Sequence, residues 1–193
     1  KRSIILPYKQ SGIYHFPSDS LYLGYNRINF FMFDSSAGKR IRQTREVVNT
    51  RNNTAIPILI KQMKGEQDWG VITLNSSVGK KPINIGSRTY SYGMGVHGTS
   101  SYTVIPPKGS DSLFIAFGMS DEKKCGDAVA ISILVGDSLL YQKETIRRRK
   151  LYTASVAITT QQPIHLNTLN KKKSHCDHVN WVYPFFSMPI ESK

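Results

Sequence analysis

The sequence predicts an all-β protein: an antiparallel β-sandwich with an N-terminal extension packed on it. Three observations support this expectation. Short apolar or alternating runs recur regularly after residue 69, turn-rich pieces separate them, and no long stretch has the 3.6-residue period of an amphipathic helix. The chain has 193 residues, and 39% of them are hydrophobic. It is therefore long and apolar enough to bury one good-sized core.

The predicted strands of the sandwich are all short, as is usual for this architecture. They cover residues 71–74, 83–85, 90–92, 101–105, 113–118, 129–135, 139–142, 152–158 and 164–168. The run 129–135 is joined to residues 139–141 through Gly136 and Asp137, which predicts a tight hairpin. Trp181 begins the last strand.

Residues 1–65 look different, and we predict a partly β extension or linker. Short apolar runs are broken by proline and glycine, and a polar stretch rich in Arg and Asn covers 34–53. Residues 55–60 form a strand candidate whose Pro57 suits a sheet edge. The extension has too little apolar material for a core of its own, so we expect it to pack on a domain at 66–187. Residues 188–193 are predicted to be a tail.

The chain is strongly basic, with 26 Lys and Arg against 13 Asp and Glu. Such a charge favours an anionic partner, which could be nucleic acid, an acidic glycan or a membrane surface. The basic clusters at 39–42, 80–81, 123–124, 147–150 and 171–173 fall in expected loops, and no nucleic-acid-binding motif accompanies them. We therefore expect no specific nucleic-acid partner, and favour solvated turns over a dedicated polyanion site.

No run approaches the ~18 apolar residues of a membrane span. The chain opens at Lys1. We interpret it as a mature or excised part of a larger protein, so a missing signal peptide says nothing about export.

Two cysteines lie in polar loops that each precede a strand-like run. A bridge between Cys125 and Cys176 would close a loop of about fifty residues and favour an oxidising compartment. The alternative is two unpaired thiols.

His97 is the second-last residue of a glycine-rich phrase, Tyr-Ser-Tyr-Gly-Met-Gly-Val-His-Gly at 90–98. It is either a ligand-contacting imidazole on a loop held open by Gly93 and Gly95, or a structural histidine at a corner where the glycines supply positive φ. The structural role is favoured.

The phrase at 176–181 brings Asp177, His178 and Trp181 together in sequence. Strand alternation favours Trp181 as a core anchor, with Asp177 and His178 at a loop mouth. The alternative for Trp181 is a sugar-stacking platform, a role that Tyr90, Tyr92 and Tyr102 could also take.

No cofactor is required by these patterns. Calcium could bind near Asp121, Asp127 and Asp177 if their loops converge. Catalysis is not expected, because no Gly-x-Ser-x-Gly elbow is present and the acidic residues are sparse.

Together these phrases resemble the NPCBM family of carbohydrate-binding modules, which is related to carbohydrate-binding module family 51. The resemblance covers about residues 66–187, in the family's order. It is carried by Trp69-Gly70, by Pro82-Ile83-Asn84-Ile85-Gly86, by the phrase at 90–97, by Phe117-Gly118-Met119-Ser120-Asp121, by residues 135–141 and by Asp177-His178-Val179-Asn180-Trp181.

The resemblance implies a jelly-roll-like sandwich and non-catalytic binding that targets a larger, extracellular or periplasmic, glycan-handling protein to glycans. The parent protein could carry membrane-spanning parts. The resemblance places both cysteine loops at one end, so we predict Cα atoms of Cys125 and Cys176 within ~7 Å. The expected ligand-binding residues are Tyr92, His97, Asp121, Lys123, Asp177, His178 and Trp181.

Two alternatives stay open. One is a structural or protein-interaction sandwich that has lost sugar binding, which a surface without an exposed aromatic beside a polar pocket at the Asp177 end would favour. The other is a basic module that binds acidic polysaccharide, with salt-sensitive retention on heparin.

Overall fold

The protein is described by a computed structural model that covers residues 24–34, 38–49, 54–126, 128–171 and 176–189. Within these ranges it contains fifteen strands, a short 3₁₀ helix at Ile60–Gln62 and no α-helix. No helix in the described part is long and apolar enough to cross a membrane. The strands are β1 (Gly24–Asp34), β2 (Lys39–Asn49), β3 (Thr54–Pro57), β4 (Met63–Gln67), β5 (Thr73–Leu74), β6 (Asn84–Ile85), β7 (Arg88–Thr89), β8 (Gly93–His97), β9 (Ser100–Val104), β10 (Ser112–Met119), β11 (Val129–Val135), β12 (Ser138–Ile146), β13 (Tyr152–Ala157), β14 (Ile164–Asn170) and β15 (His178–Met188).

The chain divides into two compact units, Lys1–Arg51 and Asn52–Lys193. In the first unit, β1 and β2 form a regular antiparallel hairpin whose register runs from Gly24 opposite Asn49 to Asp34 opposite Lys39. β2 lies in the polar stretch that had no strand signal. The apolar runs predicted before residue 24 lie outside the described residues.

The second unit is the predicted antiparallel sandwich. One sheet has the strand order β13-β10-β15-β8-β5, with β3 also paired to β15, and the other has the order β12-β11-β14-β9-β4. The predicted hairpin is confirmed, because β11 pairs with β12 and Val135 lies opposite Ser138 across the turn. β11 alternates buried and half-buried positions along its whole length, as a strand between a core and the surface does.

The sandwich begins earlier in the chain than the predicted residue 66. β3 pairs with the far half of β15, with Pro57 opposite Phe185, while β8 pairs with the near half. Ile58, directly after β3, is fully buried in the core. A four-residue strand contributes too few apolar residues to be recognised as part of the core from sequence.

The glycine-rich phrase is a buried strand rather than an open loop. β8 covers Gly93–His97, and all five of its residues are buried. Gly93 and Gly95 do not have positive φ; they are required because the backbones approach closely. A Cβ on Gly95 would lie 2.3 Å from the Val78 backbone nitrogen, and one on Gly93 would lie 2.5 Å from the Trp181 carbonyl oxygen. The expectation that these glycines hold a loop open, or supply positive φ, is therefore wrong.

Candidate functional site

A disulfide ties together two loops at one end of the sandwich. The Cα atoms of Cys125 and Cys176 are 5.5 Å apart and the sulfurs are bonded, which confirms the predicted bridge. One loop follows β10 and the other precedes β15, and these two strands are hydrogen-bonded neighbours. The bridge therefore holds the loop after β10 and the loop before β15 together at the same end of one sheet.

His97 and His178 meet at this end because their strands pair in register. His97 is the last residue of β8 and His178 the first of β15, and they lie directly opposite each other. Their ring centroids are 5.4 Å apart in an edge-to-face arrangement. Both side chains are buried, with 3% and 2% of their residue surface exposed.

Each histidine is held by a carboxylate through its Nδ1. His97 Nδ1 bonds the Asp68 carboxylate, whose side chain is 43% exposed. His178 Nδ1 bonds the Glu122 carboxylate, which is itself buried and also accepts a hydrogen bond from the Ser77 hydroxyl. The two pairs thus differ, since one carboxylate faces solvent and the other is enclosed.

Burial is the main reason that His178 resists protonation. It lowers the pKa of His178 from 6.5 to about 4, and the neighbouring His97 contributes in the same direction. At pH 7 the ring is therefore neutral. Its Nδ1–H donates to Glu122, and its other nitrogen remains an acceptor.

Trp69 lies over these histidines with much of its indole in solvent. Its exposed fraction is 53%. Its ring is stacked on His178 at a centroid distance of 5.6 Å and an interplanar angle of 14°, and lies 5.6 Å from the His97 ring at a tilt. An exposed aromatic over buried polar groups is a surface on which the apolar face of a sugar ring can pack.

Gln67 holds the loop that carries Trp69. Its Nε2 donates to the Trp69 carbonyl oxygen at 2.7 Å, and its Oε1 accepts from the His97 backbone N–H and the Tyr102 hydroxyl, both at 3.2 Å. The Asp68 N–H donates to the Thr99 carbonyl oxygen at 3.0 Å. The loop is thus anchored to β8, β9 and the connection between them, so the indole is positioned before any ligand arrives. We call Asp68, Trp69, His97, Glu122 and His178 the Trp69 site.

Of the expected ligand-binding residues, only His97 and His178 lie in the Trp69 site. Lys123 is exposed directly beside Glu122. Asp121 lies next to it, but its carboxylate accepts the Ser87 backbone N–H at 2.5 Å and so holds the turn between β6 and β7.

The other three expected residues have structural surroundings. Trp181 is 1% exposed and packs against Phe117 in the core, as the favoured interpretation had it. Asp177 is fully buried. Tyr92 donates to the Ile58 carbonyl oxygen at 2.6 Å; it precedes β8 and lies about 16 Å along the strand from His97, at ~3.3 Å per residue.

The calcium expectation stays a prediction. Among the described residues, no group of three or more His, Cys, Asp or Glu side chains could hold a metal ion. Asp127, one of the three residues named for it, lies outside the described residues.

Sequence reasoning missed Trp69, Asp68 and Glu122 as site residues. Trp69-Gly70 was noted only as part of a family phrase. A usable signal was present, since an Asp-Trp-Gly turn places an aromatic side chain in a loop rather than in an alternating strand. Glu122 had no comparable signal, because its burial depends on Ser77 and His178, which are distant in sequence.

The site can hold a sugar but offers no evident catalytic pair. The indole provides a stacking face, and the partly exposed Asp68 carboxylate can accept hydrogen bonds from hydroxyl groups. Glu122 is enclosed and already bonded to two partners. A β-sandwich with an exposed aromatic above buried polar groups is typical of one class of protein, the carbohydrate-binding β-sandwich modules.

Comparison with known proteins gives the family. The model of the NPCBM/NEW2 domain matches residues 58–187, about two thirds of the chain, so the chain belongs to the NPCBM/NEW2 family. No curated protein matches it.

Three solved structures with a similar fold contain CBM51 domains from Clostridium perfringens. The CBM51 domain of GH95, in complex with methyl-galactose, has a TM-score of 0.62 at 14% identity, covering 69% of this chain and 99% of that one. The CBM51-2 and INT domains of ZmpB, with CBM51-2 in complex with GlcNAc, have a TM-score of 0.61 at 18% identity, covering 88% of this chain and 38% of that one. The ZmpB structure with the M60 catalytic domain and two CBM51 domains has a TM-score of 0.63 at 16% identity, covering 87% of this chain and 18% of that one. The chain thus spans well under half of either ZmpB structure, and at these identities the similarity shows the fold.

Proposed function

We propose that this chain is a non-catalytic carbohydrate-binding module that brings a larger, extracellular or periplasmic, glycan-handling protein to its glycans. The observation that carries the proposal is the exposed Trp69 indole stacked on His178 at a polar, disulfide-tied end of the sandwich. A structural sandwich that had lost sugar binding would have no need to keep an indole in solvent there. The fold similarity to CBM51 domains solved with methyl-galactose and with GlcNAc supports the same class of ligand.

The site predicts a shallow mode of binding. One face of the indole would pack on a sugar ring, and Asp68 would accept hydroxyl hydrogen bonds at its edge. A single stacking aromatic and few polar groups give modest affinity, so dissociation constants in the micromolar to millimolar range are expected.

The proposed extracellular or periplasmic location is inferred from the disulfide and from the proposed ligand. The disulfide between Cys125 and Cys176 is typical of proteins that fold in an oxidising compartment. Glycans that a binding module would target also lie mainly outside the cytoplasm. Thiol labelling of the protein from intact cells would test this, because free thiols at both positions would contradict it.

The binding test compares Trp69→Ala with Leu139→Ala. Leu139 is a matched control, since it is 51% exposed near the start of β12, the edge strand at the opposite side of the sheet from β4, which leads to Trp69. A glycan array would identify ligands, and calorimetry would measure their affinity. We expect Trp69→Ala to weaken binding at least tenfold and Leu139→Ala to leave it within twofold. Absence of binding to every arrayed glycan, or equal binding by both variants, would refute the proposal.

A further inference from the structure

Three loops, one that contains Glu122 and two that contact that loop, carry an unusual density of positive charge. Residues 77–81, 121–125 and 147–150 contain eight Lys or Arg and two acidic residues. Six of these cations form a set that we call the cationic rim: Lys80, Lys81, Lys123, Lys124, Arg147 and Arg148. All are exposed except Arg148, which is half-buried.

Contacts between the loops place the cations of 77–81 and 147–150 on either side of the loop at 121–125. Gly79 packs on the Glu122 side chain, where a Cβ would lie 2.7 Å from a carboxylate oxygen, and Ser77 bonds the same carboxylate. On the other side, the Arg148 guanidinium donates to the Lys124 carbonyl oxygen. The loop at 121–125 therefore contacts both of the others.

The two acidic residues on these loops are outnumbered four to one by the cations. Glu122 is enclosed, with 4% of its side chain exposed, and is bonded to His178 and Ser77. The Asp121 carboxylate accepts a hydrogen bond from the Ser87 N–H. The three loops therefore carry an excess of positive charge.

The cationic rim adjoins the stacking indole. A Cβ on Gly70, the residue after Trp69, would lie 3.1 Å from a Val78 methyl group in the first loop. The Trp69 ring stacks on His178, which bonds Glu122, the residue before Lys123. A sugar on the indole would thus have the rim beside it. Of the two carboxylates nearby, Asp68 bonds His97 and the enclosed Glu122 bonds His178.

We propose that the Trp69 site and the cationic rim together bind an acidic glycan, with one sugar ring on the indole and its carboxylate or sulfate groups on the rim. This inference rests on the proposed glycan-binding function and specifies the ligand class. Coulombic attraction at exposed sites is modest per pair and is screened by salt, so selectivity comes from several cations acting together.

The test uses one oligosaccharide backbone in three forms: a uronic-acid oligosaccharide, its carboxyl-reduced neutral form and its O-sulfated form. Calorimetry at low and at high salt would compare the wild-type chain with a rim variant, Lys81→Gln/Lys123→Gln/Lys124→Gln. The matched control is Lys61→Gln/Lys64→Gln/Lys108→Gln, which removes three exposed lysines elsewhere in the sandwich unit. Trp69→Ala and a single-stranded DNA of similar charge complete the set.

We expect the acidic forms to bind at least tenfold more tightly than the neutral form, and the rim variant to lose that advantage while the control keeps it. The uronic and sulfated arms show which acid is preferred. Equal binding of acidic and neutral forms, abolished by Trp69→Ala, would overturn this inference and leave the glycan-binding function standing. Binding of none of these forms, nor of any arrayed glycan, would overturn both. Rim-dependent DNA binding of equal strength that ignores Trp69→Ala would also overturn it, in favour of a general polyanion surface.

Discussion

Removal of the disulfide should destabilise the sandwich by an amount set mainly by the length of the loop it closes. Cys125 and Cys176 are 51 residues apart. The chain-entropy relation for a loop of this length predicts that the bridge raises the free energy of unfolding by about 4 kcal/mol at 25 °C, because it restricts the unfolded chain. Cys125 is exposed, so a reductant can reach the bond in the folded protein.

The perturbation is Cys125→Ser/Cys176→Ser, which removes the bridge without leaving a thiol. Urea unfolding would be followed by tryptophan fluorescence, because Trp181 is buried at 1% exposure and its emission will shift to the red when the core opens. With a denaturant slope of about 2 kcal/mol per molar, a loss of 4 kcal/mol moves the midpoint by about 2 M. The wild-type chain with reductant should match the variant, and reductant should leave the variant unchanged.

A midpoint that falls by less than about 0.5 M, equivalent to ~1 kcal/mol, would refute the argument that the bridge acts through the unfolded chain. A second readout is sugar binding. His178 follows Cys176 by two residues and Glu122 precedes Cys125 by three. Loss of the bridge should therefore weaken binding even under conditions where the variant is still folded.

Three further predictions concern single positions. Gly95→Ala should lower the free energy of unfolding in urea by about 3 kcal/mol or more, because its Cβ would lie 2.3 Å from a backbone atom. Gly109→Ala, where a Cβ has no close neighbour and φ is +86°, should lower it by only about 1 kcal/mol. Equal losses would contradict the packing argument. Trp181→Ala should lower the free energy of unfolding by about 3–5 kcal/mol, because it truncates a buried aromatic side chain. Trp69→Ala should change it by about 0.5 kcal/mol or less. A larger loss for Trp69→Ala than for Trp181→Ala would contradict the assignment of Trp181 to the core and Trp69 to the surface. The pKa of His178 is lowered to about 4 by burial and His97, so the unfolded state binds the proton first and stability should fall, by up to about 1 kcal/mol per pH unit, as pH decreases from 6.5 towards 4. His178→Asn should flatten this slope in urea unfolding at pH 7, 6 and 5, and an unchanged slope would show that His178 does not cause it.

The sandwich was predictable because its longer strands carry their own periodicity. Tyr152–Ala157 alternates in the sequence and in its burial, with Ala154 and Val156 buried between exposed neighbours, and the Gly136-Asp137 turn fixes the register of the hairpin that it joins. β8 could not be recognised in this way. Its Gly93 and Gly95 are required by Ser77, Val78 and Trp181 backbone that packs against it, and a sequence shows a glycine without showing what approaches it.

The same distinction separates the two tryptophans. Trp181 lies in a long strand, where alternation indicates which face a residue occupies, and the core placement followed from that. Trp69 lies in a short loop with no period to interpret, and its exposure depends on Gln67 bonding β8 and β9 residues about thirty positions away.

The candidate ligand residues therefore divide by what determines their position. Trp181 lies within β15 and is committed to the core, and Tyr92, just before β8, is committed to its bond with the Ile58 carbonyl oxygen. His97 and His178 also sit in strands, yet at the ends, where the pairing stops and loops can approach. The Trp69 site forms there because the ordered sheet end holds two buried imidazole rings in place, while the loops supply the indole above and the cations beside them. Under the proposed function, substitution of loop residues such as Lys123 would change the preferred sugar without disturbing the strands, which is why the motif phrases identify the fold and the family but do not name a sugar.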